Sequence, residues 1–475
     1  MLRPPSTFLN ARMASFPPSK PTVTPVRPDV MRRLGAEVLR RLRGARRHDN
    51  VWRIERVEVP VEPCDPLAWL ATQAGTVKHY WHGRGQEITV AGAGVADQVD
   101  GAYGAVLEEV ERRSAGLPAA GCYLGGARFA PSRSSEWRAF GGTRFTLPRA
   151  ELRVSERGAV LSANLVFPRD ARQPGRVLAE LKTLRWPGEP LGDDLPLPID
   201  RDDAPGHTVW RNGIERALQS FDETPLEKIV LARRATYTFD DPLDPYVLLK
   251  RLEAATPSCF HFLIQPAPGV AFLGASPERL FRREGRTLTS EAVAGTRPRG
   301  ASDAADARLR DELQLSEKDQ REHGFVREQI RRALTPFSET LDVDAETSDM
   351  MLARGRHLYS GIAATLQPDV RSTDLLRALH PTPAVGGTPT TDALRMIAEV
   401  EPFDRGWYAG PVGWIGADAA EFAVGIRSGL VENGEVSSLS LYSGAGIVRG
   451  SKAEAEWAEI EHKIGDFARV LALDA

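Results

Sequence analysis

The sequence predicts a protein of mixed class, in which α-helices pack with β-sheet, and three observations carry that prediction. Residues 50 to 185 are cut by glycine and proline turns into short strand-like runs, "YWHGRGQEITVAGAGVA" and "RFTLPRAELRV" among them. From residue 207 onward, stretches of helical periodicity alternate with β-forming runs to the end of the chain. Asn433-Gly434 stands between two apolar runs, the favoured signal for a two-residue hairpin turn.

Bulk properties exclude several classes. The 475 residues allow two or three domains or one elaborate one. Lys and Arg number 61 against 64 Asp and Glu, a net charge of −3, so no basic field points to nucleic acid. Cys64, Cys122 and Cys259 lack the paired spacing of a zinc site and the density of a disulfide scaffold, and read as reduced thiols. No apolar run approaches the roughly 20 residues that span a bilayer, so a soluble cytoplasmic protein, monomer or homodimer, is expected.

Taken in order, residues 1–30 carry several prolines and no acid before Asp29, and are expected to be a disordered tail. Their Arg, Ser and Thr content also fits a plastid transit peptide, and Met13 or Met31 is an alternative start. "MRRLGAEVLRRLRGARRH" predicts a helix docked through Leu34, Val38 and Leu42, its arginines solvated. The run 185–207, rich in Pro and Asp, reads as a linker. "LEKIVLARRATYTF" places Lys228 at the start of a strand.

"GASPERLF" predicts a short helix with Ser276 as N-cap, Pro277 in its first turn and Glu278 at its positive end. "SEKDQREHGFVREQIRRAL" predicts a charged helix bearing Glu322 and His323, with Phe325, Val326 and Ile330 available for burial. A two-residue turn at Asn433-Gly434 would set Arg427 opposite Ser440, so that Arg427, Ser440, Tyr442 and Gly444 share one face. Gly444 and Gly446 would then leave backbone N–H groups open to an anion.

In the last helix, "SKAEAEWAEIEHK", a turn of about 100° per residue gathers Ala453, Trp457, Ile460, Ile464, Phe467 and Leu471 on one stripe. Glu456, Glu459 and Lys463 flank one edge of it, Glu454 and Glu461 the other. Periodicity leaves two readings open: a solvated face supported by the Glu459–Lys463 pair, or carboxylates held for a cation.

The ordered set "EKIVLARR", "GASPERLF", "AVAGTRPRG", "SEKDQREH", "RHLYSGI", "HPTPAVGG", "EPFDRGWYAGPVGW", "EFAVGIRS", "YSGAGIV" and "EAEWAEIEHK" resembles the chorismate-utilising enzyme family, most closely its isochorismate synthases. The resemblance spans residues 207–470, with weaker pieces ("VAGAGVA", "GGARFAP", "FTLPRAEL") before them. It implies a single α+β domain over 31–475, two packed β-sheets surrounded by helices, with 207–470 as the chorismate-binding segment and the 185–207 run an internal connection.

The resemblance also implies Mg²⁺ as cofactor and a role for each matched residue. Lys228 would act as general base on water and Glu278 as the acid that protonates the departing hydroxyl. Glu322, Glu456 and Glu459 would bind Mg²⁺, which leaves Glu454 and Glu461 as the solvated edge. Gly295, Thr296, Arg427 and Gly444 would bind the substrate, with His357 and Ala384 lining the ring pocket. The implied product is isochorismate, for menaquinone or a siderophore. The alternatives are a salicylate synthase, which adds pyruvate elimination, and a non-catalytic binding protein on the same fold.

Overall fold

Two antiparallel sheets organise the chain in the computed structural model, which describes residues 23–471 apart from 26–27, 46–49, 86–87, 133, 135 and 354. Among the described residues one sheet has twelve strands and the other ten. Both halves of the sequence feed both sheets. Phe260–Ala267 pairs with Lys78–His82 in the larger sheet, and Pro411–Ile415 pairs with Tyr123–Ala127 in the smaller. The halves therefore make one α+β unit, and the proline-rich run after 185 connects two parts of it. Within that run Asp200–Ala204 forms an edge strand on Lys228–Phe239.

Of the tail expected at 1–30, residues 1–22 lie outside the described residues. Val23–Pro25 pairs with Arg185–Pro187, and the basic helix already opens at Pro28, so the expected boundary at 31 moves toward the N-terminus. Proline is suited to a first helical turn and Asp29 follows in it, facing the positive end of the helix. Leu34, Val38 and Leu42 are buried, as the periodicity predicts.

Aromatic side chains fill much of the interior. Trp137 packs against Phe140, Phe272 and Tyr442 at ring distances of 5.2, 5.3 and 5.9 Å, and Phe140 reaches Trp407 at 5.6 Å. Burial of such side chains contributes about 1.5–3 kcal/mol each.

Two short crossovers carry the chain from sheet to sheet, and they lie side by side. Val270–Ser276 belongs to the larger sheet and Arg279–Glu284 to the smaller, so Pro277-Glu278 is the whole connection. Ala419–Val424 in the smaller sheet returns to Ser428–Asn433 in the larger through Gly425, Ile426 and Arg427. Backbone hydrogen bonds tie the crossovers together: Ala275 N donates to Arg427 O at 3.0 Å and Val424 N to Glu278 O at 3.1 Å. The short helix expected at "SPER" is thus absent. The segment is the fold of a two-stranded ribbon, and Ser276 Oγ caps only the Glu278 N–H, at 3.3 Å.

The hairpin register also differs from expectation. Asn433 pairs with Ser437, closing a three-residue loop of Gly434, Glu435 and Val436, and Ser440 faces Leu430. The Asn433 amide is occupied elsewhere, accepting from Leu243 N at 3.0 Å and donating to Leu243 O at 2.9 Å, so it does not build the turn. Arg427 stands outside the ladder with a φ of 51°. That left-handed backbone is uncommon for a residue with a side chain, and it ends the crossover just before the strand begins.

Candidate active site

A cleft of about 720 Å³ opens beside the crossovers. Glu278, Gly295, Thr296, Glu322, His357, Ala384, Arg427, Gly444 and Glu459, all expected at a site, line it. Lys228 and Glu456 do not line it and stand one layer behind. Tyr408, Tyr442 and Val385 complete the apolar part of the wall.

Lys228 opens the strand Lys228–Phe239, whose valine, leucine and isoleucine run buries it completely. Its Nζ lies 3.2 Å from Glu322 Oε1, an ion-pair distance without hydrogen-bond geometry, and it makes no hydrogen bond at all. Glu278 is 4% exposed. Burial first, then the nearby Glu291 carboxylate, push its pKa up to about 8, against the pull of Lys228. Glu278 therefore holds a proton at neutral pH. Glu291 is itself held in place, accepting from Arg279 N at 2.6 Å and from both Arg84 nitrogens at 2.8 and 2.5 Å. Arg84 also donates to Pro277 O at 2.6 Å, which braces the crossover.

His357 comes from the strand Gly355–Leu366. Opposite it, the pairing slips at Gly295, whose φ of 69° forms a bulge that suits glycine. The freed Gly295 carbonyl lies 3.0 Å from His357 Nδ1, with Thr296 Oγ1 at 3.1 Å. Burial, then Arg427, push the imidazole down to about 3, so it is neutral. A carbonyl can only accept, so Nδ1 carries the hydrogen and Nε2 is left as an acceptor. Arg427 has its guanidinium 3.5 Å from Asp466 Oδ2 and borders a second, more apolar cavity of about 690 Å³. His357, Thr296 and Pro277 line both cavities.

The floor is made by two helices, Glu317–Leu334 and Ala453–Ala468. Glu322 presses so closely on the strand Ser437–Ile447 that a Cβ at Gly446 would lie 2.0 Å from its Oε1. Each of the three expected metal ligands meets a lysine: Glu322 meets Lys228, Glu456 meets Lys318 at 2.5 Å, and Glu459 meets Lys463 at 2.6 Å. Burial works against the charge of Glu459, but Lys463, Lys318 and Arg297 outweigh it and hold its carboxyl below the usual range. Glu456 is 1% exposed, and burial together with Glu459 raises its pKa against the pull of Lys318.

As placed, no three His, Cys, Asp or Glu side chains among the described residues stand close enough to hold a metal ion. The donor set nonetheless has the chemistry of a hard divalent site. It consists of carboxylate oxygens from two facing helices, with Glu456 Oε2 buried and without a hydrogen bond. On the other edge of the last helix, Glu454 is exposed as expected, whereas Glu461 is not simply solvated. It takes Arg233 at 2.8 Å and Arg201 at 2.9 Å, because the fully buried Arg233 requires a counter-charge.

Several site residues escape the sequence reading. Lys318 stands four residues before Glu322 on one helix face, a spacing that could have revealed it. Glu291 and Arg84 had no such signal, since Glu291 acts on Glu278 from another strand and Arg84, from a distant turn, binds Glu291 and the Pro277 carbonyl.

Three comparisons bear on the chain. It matches the family described as chorismate binding enzyme over residues 40–472. It is 37% identical to isochorismate synthase 2, chloroplastic, of Arabidopsis thaliana over 361 residues, which cover 73% of this chain and 63% of that relative, less than two thirds of its length. It is 31% identical to isochorismate synthase MenF of Haemophilus influenzae, covering 88% of this chain and 91% of that one. Its fold superposes on the solved structure of MenF, the menaquinone-specific isochorismate synthase from Escherichia coli. The TM-score there is 0.79 at 29% identity, over 93% of this chain and 100% of that one.

Proposed function

Because this chain belongs to the chorismate binding enzyme family, we propose that it is an isochorismate synthase with Mg²⁺ as its cofactor. One observation carries the reading. Lys228, a buried lysine without a hydrogen bond, stands one layer behind the cleft, and Glu278, a buried glutamic acid that keeps its proton, lines it. An isomerisation that adds water at one ring carbon and expels hydroxyl at another needs such a pair.

Lys228 takes the proton of the attacking water as its oxygen bonds to the ring carbon beside the carboxylate-bearing one. The ring double bonds shift, the distal C–O bond breaks, and Glu278 gives its proton to the leaving hydroxyl, so one water enters and one departs. Arg427 supplies a planar donor fork for a substrate carboxylate, and neutral His357 offers Nε2 to a hydroxyl. Glu322, Glu456 and Glu459 would hold the ion, whose charge lets an anionic substrate rest against glutamates. Ala384 and Val385 present small apolar side chains to the cleft and bring no hydroxyl of their own to steer pyruvate elimination, which favours isochorismate as the released product. All three thiols are free, as suits a reducing compartment such as the cytoplasm or a plastid. Menaquinone or a siderophore would be the end use.

The test is incubation of the purified protein with chorismate and Mg²⁺, followed by chromatography. Isochorismate is expected at the rate of chorismate loss. No turnover would overturn the proposal, as would equal amounts of salicylate and pyruvate with no isochorismate.

A further inference from the structure

Lys318 has no part in the chemistry above, yet it occupies the middle of the acidic floor. It lies one helical turn before Glu322, and its Nζ crosses to the facing helix to bind Glu456 Oε1 at 2.5 Å. Glu322 and Glu459, as well as Glu456, act on its charge. The two ends of this contact differ. Glu456 is 1% exposed with its second oxygen unpartnered, whereas a third of the Lys318 side chain is open to solvent. The carboxylate is anchored and the ammonium can leave.

We infer that Lys318 is an internal counter-cation, a positioning residue that holds Glu456 in place while the floor is empty and is displaced when a divalent cation binds. The inference rests on the metal reading proposed above. Glu322 and Glu459 have Lys228 and Lys463 beside them, so Lys318 is the lysine left to offset the buried Glu456, whose second oxygen has no partner. A lysine on a flexible stem meets that need without closing the site, because its ammonium can swing to water once a stronger cation arrives. Opening the pair costs part of the cation's binding free energy. Lys318 therefore weakens metal binding to the substrate-free protein while it orders the site.

The test is calorimetric titration of MgCl₂ into the substrate-free full chain and into Lys318→Met, Lys318→Gln and Lys318→Arg. Removal of the charge should tighten Mg²⁺ binding roughly three- to tenfold, as expected for loss of a partly exposed ion-pair competitor. Lys318→Arg should stay near the parent. Thermal melting gives a second readout: Lys318→Met and Lys318→Gln should melt lower than the parent in chelator, and Mg²⁺ should restore the difference. A purely structural lysine would lower melting equally with and without Mg²⁺ and leave the affinity unmoved. Unchanged or weaker Mg²⁺ binding in both neutral variants overturns the inference while leaving the metal site standing. Absence of Mg²⁺ binding in the parent and the variants alike would instead remove the metal reading itself.

Discussion

At the scale of single residues, Glu278 determines how activity and stability respond to pH. Its pKa is about 8 in the folded protein against an ordinary 4.5. Below about 4.5 the folded and unfolded chains both hold the proton; between there and about 8 only the folded chain does, so stability falls as pH rises through that window. Glu278→Gln should therefore melt higher than the parent at pH 8 and close to it at pH 4.5, as calorimetry can measure. Its kcat should drop about 10²–10⁴-fold with KM little changed. The parent's kcat should fall on the alkaline side as Glu278 loses its proton. Lys228→Ala should yield neither isochorismate nor salicylate in a timed assay, and product from this variant would remove Lys228 as the base. Lys228 and Glu278 were legible as candidates in ordered motifs, because each motif keeps its chemistry-bearing side chain close in sequence to recognisable neighbours. The environment of Glu278 was not legible, since Glu291 and Arg84 come from other parts of the chain; Arg84 bonds a residue 193 positions away.

Among elements, one close approach joins the strand Ser437–Ile447 to the helix Glu317–Leu334, where Gly446 makes room for Glu322. The atom in the way of a new Cβ is the tip of a flexible side chain, so Gly446→Ala should fold and instead push Glu322 aside. Mg²⁺ affinity measured by titration should weaken several-fold with the melting temperature almost unchanged. Unaltered affinity would show that Glu322 does not bind the ion. Periodicity located the two floor helices, with Val326, Ile330, Ile460 and Ile464 buried as expected, because burial of an apolar face imposes its own spacing, whereas Phe325 stays half-buried off that stripe. It failed at "SPER", where a serine, a proline and an acid satisfy helix-start rules yet the chain turns between sheets. It failed again at Asn433-Gly434, where the asparagine that would have made the turn is held by Leu243. In both places long-range contacts overrode a correct local preference.

For the whole molecule, the interleaving of the halves means that the segment carrying the site motifs is not an independent unit. A fragment beginning at residue 207 would leave Phe260–Ala267 and Pro411–Ile415 without their N-terminal partner strands. Such a fragment should aggregate or lack cooperative melting, as size-exclusion chromatography and circular dichroism can show. Local patterning could not reveal this, because strand pairing across hundreds of residues leaves no local trace and the run at 185–207 has the composition of a boundary; the single domain was legible only in the resemblance of the ordered motifs. The paired crossovers at 277–278 and 425–427 have a consequence for how such a protein can change over generations. Glu278 and Arg427 ride on one backbone crease held by Ala275, Val424 and their partners, so a substitution that shifts one drags the other with it. Ala384 and Val385 line the cleft from outside that crease, between the helix Ser372–Leu379 and the short edge strand Gly387–Thr388. Selection for a different product, run as laboratory evolution on this chain, should therefore collect its mutations around residues 380–389 and leave the crease unaltered.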